Sequence, residues 1–74
     1  MLTVEENASA RRQGWMLVEV FDLRTGRARP EILPIAFTAP FNTARATTGW
    51  VIARAKAGDA LAQKALQLVM QGLK

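Results

Sequence analysis

Residues 14–37 read GWMLVEVFDLRTGRARPEILPIAF, and they decide the fold. Val, Phe, Trp and Leu crowd the first half of this stretch, and such side chains fit a pleated surface. A strand over 14–23 would place Trp15, Leu17, Glu19, Phe21 and Leu23 on one face. Met16, Val18, Val20 and Asp22 would take the other, so both faces are largely apolar. LRTGRA then reads as a turn, with Gly26 supplying the positive φ of a short hairpin loop and Thr25 a local backbone bond. The chain returns through Arg27 and Arg29 and stays extended to Phe37. Pro30 and Pro34 lack the ladder N–H, so this return strand is expected to lie on an edge or to be interrupted. Glu19, in the middle of an apolar face, is expected to pair with Arg27 or Arg29 across the hairpin.

Downstream the period changes from two to about 3.6. A helix is expected over about 43–57, with Asn42 as its N-cap. Its wheel carries two apolar patches. Ala46, Trp50, Ala53 and Ala57 form one, and Val51, Ile52 and Ala55 form the other. Trp50 is the largest side chain there and is expected to be the buried anchor. Gly49 interrupts the helix at a cost of about 1 kcal/mol relative to Ala, with room for another backbone to approach. Gly58 closes the helix, and Asp59 caps the next one. The second helix, about 60–71, is cleanly amphipathic. Leu61, Ala62, Ala65, Leu66, Val69 and Leu73 form its buried stripe, widened by Leu68, and Gln63, Lys64, Gln67 and Gln71 its wet face. Upstream, residues 1–13 are polar without an apolar stripe and read as a flexible arm. The expected architecture is a two-layer α+β domain over 14–74, an N-terminal β-hairpin (about 14–37) followed by two C-terminal helices.

Composition narrows the chemistry. The chain has 74 residues and neither cysteine nor histidine. No disulfide can form, and a four-ligand zinc site is not expected. The acids are Glu5, Glu6, Glu19, Asp22, Glu31 and Asp59. Glu19 and Asp22 fall on opposite faces of one strand, and Ser9 has no base near it. No nucleophile–base or paired-carboxylate constellation emerges. The sequence therefore reads as non-enzymatic, with no cofactor, metal or small-molecule substrate. The apolar runs are too short to span a bilayer, and the acidic start has no signal-type core, which places the chain in the cytoplasm. Seven Arg against three Lys, with thirteen Ala, suit a GC-rich bacterial coding sequence.

The formal net charge of +4 permits an acidic partner without demanding one. Two helices at a Gly-Asp corner suggest a helix-turn-helix. However, the positions that should pack inward in that motif hold Arg54, Lys64 and Gln67. An amphipathic helical corner packed on a hairpin explains the pattern better. The hairpin turn is the other basic candidate. Arg24, Arg27 and Arg29 could contact nucleic acid or an acidic protein, as a two-stranded basic ribbon does in a DNA groove. The plainer alternative is an edge kept soluble by its charges.

Two helices can cover only one face of a hairpin. The other, with Met16, Val18 and Val20, needs a cover: the arm, the PIAF segment (34–37) or a second copy. The sequence thus favours a small accessory or regulatory protein that binds another protein or itself. A homodimer through Met16, Val18 and Val20 is expected, and nucleic-acid binding through the arginines is the alternative.

Overall fold

In the computed structural model, residues 1–35 and 43–72 are described. The order is α1 (Val4–Gln13), β1 (Trp15–Asp22), β2 (Arg27–Pro34), α2 (Ala44–Lys56) and α3 (Ala60–Gly72). The α+β reading, a hairpin followed by two helices, holds.

The expected arm over 1–13 is instead a helix. Thr3 and Glu6 form a capping box: the Thr3 N–H donates to Glu6 Oε1 at 2.8 Å, and the Glu6 N–H donates to Thr3 Oγ1 at 3.1 Å. Glu5 and Glu6 in the first turn and Arg11 and Arg12 in the last complement the helix dipole. Gly14 ends α1 at φ 104°, a left-handed conformation that costs glycine little, and its N–H returns to the Ala10 and Arg11 carbonyls. The segment has almost no apolar stripe of its own. It is held by Leu2 and Ala10, which are buried in the common core, and by Lys64, whose Nζ donates to Glu6 Oε1 at 2.7 Å. The signal for this helix was the Thr3-x-x-Glu6 spacing, not hydrophobic period.

β1 and β2 pair antiparallel without a bulge, from Trp15 opposite Pro34 to Asp22 opposite Arg27. The Ile35 N–H donates to the Gly14 carbonyl at 2.9 Å. Bonded and non-bonded pairs alternate in an antiparallel ladder. Met16, Val18, Val20 and Asp22 therefore bond inward to Leu33, Glu31, Arg29 and Arg27. Trp15, Leu17, Glu19 and Phe21 direct their backbone groups to the outer edge, as do Ala28, Pro30, Ile32 and Pro34 on the other strand. Both prolines thus occupy positions where no ladder bond is lost, and they do not interrupt the strand. The same register corrects the expected Glu19 pairing. Glu19 lies opposite Pro30, while Arg27 and Arg29 stand on the other face.

The buried cluster joins Leu2, Ala10, Trp15, Leu17, Ile32, Val51, Ala62 and Ala65. α1 touches β1, and α2 and α3 both touch β2 and each other. Trp15, not Trp50, is the fully buried tryptophan, and its Nε1–H donates to Gln13 Oε1 at 3.2 Å. Trp50 is half-buried, with the Arg54 guanidinium 5.2 Å from its ring centroid. The inward face of α2 is Thr47 and Val51, flanked by Ala55, whereas Ala46, Ala53 and Ala57 are exposed. Thr47 is tolerated at the centre because its hydroxyl donates to the Thr43 carbonyl one turn back, at 2.7 Å. Thr43 is also the N-cap of α2, its hydroxyl accepting from the Ala46 N–H, in place of the expected Asn42, which lies outside the described residues. In α3 the expected stripe is the packed one, with Ala62 and Ala65 buried and Leu61, Leu66, Leu68 and Val69 against the core. Leu73 lies outside the described residues. At the end of α3, a Cβ on Gly72 would run into the Pro30 ring, so glycine permits this helix to finish over β2.

Gly49 has a different role from the one its sequence position suggests. Among the described residues, a Cβ there would meet nothing within 4 Å, and no backbone approaches closely. Gly49→Ala should therefore raise stability by up to about 1 kcal/mol. In a chain this size that corresponds to a melting temperature about 4 to 8 °C higher. An unchanged or lower melting temperature would show that the glycine is needed for something beyond the described contacts.

Candidate functional site on the hairpin

The turn that carries the arginines is built by its neighbours in sequence. The Gly26 N–H donates to the Asp22 carbonyl at 2.9 Å, with Gly26 at φ 70°. Asp22 Oδ1 accepts from the Arg24 N–H at 2.8 Å, and Thr25 Oγ1 accepts from the Arg27 N–H at 3.3 Å. These bonds satisfy three of the loop N–H groups and leave the arginine side chains in solvent. Arg24, Arg27 and Arg29 are all exposed. Among the described residues only Arg29 of the three has an ion pair, with Glu31 at 4.0 Å. A pair that long and that exposed contributes little and leaves the guanidinium available.

Register decides how the candidate residues meet. Arg27 is opposite Asp22 and Arg29 opposite Val20, so both arginines share a face with Met16, Val18 and Val20. The two candidate sets, separate alternatives in the sequence, lie on one surface. It has a half-buried apolar middle of Met16, Val18, Val20 and Leu33 and a charged border of Arg27, Arg29 and Glu31. Among the described residues, none of these apolar side chains belongs to the buried cluster or packs against it. Arg24 stands apart, in the loop. Sequence reasoning missed Phe21 and Leu23, which are 60% and 89% exposed at the same end of the hairpin. The PIAF segment offered as a cover begins with Pro34 and Ile35, and its remainder lies outside the described residues.

The helical corner is occupied with itself. Asp59 Oδ1 accepts from the Leu61 and Ala62 N–H groups at 3.0 and 3.3 Å, as a cap should. Its Oδ2 accepts from Arg54 Nη2 and Nε at 3.0 and 3.2 Å, so Asp59 does more than cap. Gln63 Nε2 donates to the Ala55 carbonyl at 3.0 Å, and Lys64 is paired with Glu6. Arg54, Gln63 and Lys64, three polar groups of this corner, are thus held by the protein's own atoms. An open depression of about 600 Å³ lies beside α2, lined by Glu31, Ala44, Arg45, Thr48, Gly49 and Ile52. It brings one acid and one arginine to a broad mouth but no nucleophile paired with a base. Among the described residues no three acidic, His or Cys side chains gather in a way that could hold a metal ion. No helix of the described residues is long and apolar enough to cross a membrane.

Two carboxylates link the elements, Glu6 joining α1 to α3 and Asp59 joining α2 to α3, and both are held low by their partners. Burial pushes Asp59 up, but the Ala62 N–H, the Arg54 guanidinium and the Leu61 N–H together outweigh it and hold the carboxyl below its ordinary value. Glu6 is also held low, first by the hydrogen bond from Lys64 and then by the Thr3 N–H. A carboxylate lowered in the folded state contributes stability that is present above its unfolded pKa and lost as pH falls through its folded one. Stability from these two groups should hold above about pH 5 and decline below about pH 4. Asp59→Asn keeps an oxygen for the cap but loses the Arg54 bonds to Oδ2, so it should cost up to about 1 kcal/mol at neutral pH, less than Asp59→Ala, which loses the cap as well. It should also flatten the acid limb of a melting-temperature profile. An acid limb as steep as that of the wild type would place the titrating group elsewhere.

Compared with protein-family models, with curated proteins and with solved structures, the chain finds no match, so the surface must be interpreted from its own chemistry.

Proposed function

We propose that this is a small non-enzymatic interaction protein, an accessory or regulatory factor that acts in the cytoplasm by binding a protein, its own copy first of all. One observation carries the reading. The hairpin face turned away from the buried cluster combines Met16, Val18, Val20 and Leu33 with Arg27 and Arg29 at its border. An apolar centre with Met, ringed by Arg, is the composition of a protein–protein interface. Phe21 and Leu23 are exposed at the turn end of the same hairpin, Phe21 on the opposite face. Sedimentation across a concentration series tests it. The wild type should form a dimer at high micromolar concentration, and Val18→Lys should return it to the 8.1 kDa species with its far-UV circular dichroism retained. A wild-type chain that stays at 8.1 kDa throughout would overturn self-association.

The exposure of Arg24, Arg27 and Arg29 favours a second reading, a nucleic-acid-binding ribbon. Retention on heparin or a DNA gel shift over a salt series separates the two. A ligand that neutralises several phosphates loses affinity steeply with salt. No binding at low salt would remove this reading.

A further inference from the structure

We infer that the second copy packs face to face on the outer surface of the hairpin, forming a two-layer β-sandwich in which Glu31 of each copy pairs with Arg29 of the other. The two-fold axis crosses the strands midway between Val18 and Val20. The inference rests on the self-association reading above and specifies its geometry.

The hairpin has one closed face and one open one. On the core face Trp15, Leu17 and Ile32 are 0%, 6% and 1% exposed, and the helices pack on that side. On the outer face the ladder sets Met16 beside Leu33, Val18 beside Glu31, Val20 beside Arg29 and Asp22 beside Arg27. The β1 half of this face is therefore apolar up to Val20, and the β2 half carries the charges. A sheet face that only meets water is normally polar along both strands. Two apolar sheet faces usually cover each other by stacking about 10 Å apart with their strands within about 30°. The charges on the β2 half are open to a new partner. Arg29 and Glu31 are 4.0 Å apart and partly exposed, so little is lost when either changes partner. Glu31 also lines the open depression beside α2, so its carboxylate can be reached from outside.

Charge selects the register. In a symmetric contact between aligned sheets the two-fold axis lies between the layers, along the strands or across them. An axis along the strands lays β1 on β2 of the second copy. Val18 would then face Glu31, and Val20 would face Arg29, so each charge would lose water over an apolar side chain. An axis across the strands lays β1 on β1 and β2 on β2. Placed at Val18 it sets Glu31 against Glu31, and placed at Val20 it sets Arg29 against Arg29. Like charges that face each other in a contact repel. Nearer the turn, Arg29 would face Arg27, and nearer Met16, Val20 would be left uncovered. Midway between Val18 and Val20 these conflicts disappear. Val18 faces Val20 of the second copy, and Glu31 faces Arg29 on both sides of the axis. At the ends the aliphatic stem of Arg27 lies over Leu33 of the second copy. Asp22, whose Oδ1 already accepts from the Arg24 N–H, stays at the rim beside Met16. Two eight-residue strands make a small face, so the contact falls in the transient class that buries less than about 1,200 Å². That size suits a dimer that forms at high micromolar concentration.

Charge exchange between two variants tests the pairing. Arg29→Glu sets an acid against Glu31 of its own second copy, and Glu31→Arg sets a base against Arg29. Each variant alone should dimerise at least about tenfold more weakly than the wild type. An equimolar mixture of the two restores both pairs at once. Glu31 of one variant meets Arg29 of the other, and the introduced acid meets the introduced base. The mixture should therefore sediment as a dimer with at least wild-type affinity. Mixing cannot restore a pair within one chain, so the rescue reads only the contact between copies. Glu19→Arg, on the other face of the hairpin, controls for net charge. It should keep its own dimer and fail to rescue Arg29→Glu. Each variant should retain the wild-type far-UV circular dichroism. Arg29→Gln and Glu31→Gln are milder and should weaken the dimer in the same direction, which keeps the test open if a charge reversal does not fold. A wild-type dimer that both reversals leave intact, or that the mixture does not restore, overturns the face-to-face geometry and leaves self-association standing. A wild-type monomer overturns both, and leaves the outer face to a different protein.

Discussion

Trp15→Ala is expected to remove about 3 to 5 kcal/mol of stability, the usual cost of emptying a buried tryptophan site. A domain of this length has roughly 4 to 11 kcal/mol in total, at 0.05 to 0.15 kcal/mol per residue. The variant should therefore be largely unfolded or melt far below the wild type. Trp15 has no exposed surface, stands at the start of β1 on the core face, and belongs to one cluster with Leu17, Ile32, Val51 and the α3 alanines. Ala10, Ala62 and Ala65 in the same cluster are too small to fill the space and are fixed to helices. Trp50→Ala is the control. Trp50 is half-buried and packs against the cluster from outside, so its loss should cost distinctly less. Thermal melts of the two variants decide the matter, and equal losses would mean that the core extends through α2 to Trp50.

The second large effect is expected at Ile32. This side chain is 1% exposed and sits opposite Leu17 in the ladder, where β2 meets α2 and α3. Ile32→Ala should cost about 2 to 5 kcal/mol, and Ile32→Val only about 0.5 to 1.5 kcal/mol. The graded pair separates cavity formation from a general intolerance of substitution, because valine keeps the β-branch and loses one methyl group. Chemical denaturation gives the comparison directly. Its midpoint should fall in steps from wild type to Val to Ala with the slope unchanged. A valine variant as unstable as the alanine one would show that β2 cannot tolerate any change of shape at this point.

For a physical reason, the core prediction from sequence held in α3 and only in part in α2, where Val51 and Ala55 face inward but Ala46, Ala53 and Ala57 do not. α3 concentrates Leu61, Ala62, Ala65, Leu66, Leu68 and Val69 on one side and glutamines on the other, so its wheel has only one answer. α2 spreads alanines around the whole wheel, with Trp50 and Val51 adjacent in sequence. Either patch could face inward, and the more polar-looking side, with Thr47, is the one that does. A threonine that satisfies its own hydroxyl within the helix behaves in the core much like valine, and hydrophobic pattern does not register this.

The amino-acid sequence by itself determined the hairpin, its Gly26 turn, the helical corner at Gly58 and Asp59, and the alternation that sorts β1 into two faces. These features depend on neighbours a few residues apart: β-branched runs, a positive-φ glycine, a capping carboxylate. The helix at residues 4–13 was within reach of the same reasoning through Thr3 and Glu6, but it lacks the apolar stripe that usually marks a helix. Only the tertiary structure decided that Trp15 is the anchor, that Glu6 and Lys64 meet across 58 positions, and that Arg27 and Arg29 share a face with Met16, Val18 and Val20. Each depends on ladder register or helix docking, and shifting the register by one residue exchanges the two faces of a strand. That register also turns the backbone nitrogens of Pro30 and Pro34 to the outer edge of β2, where no ladder bond is lost.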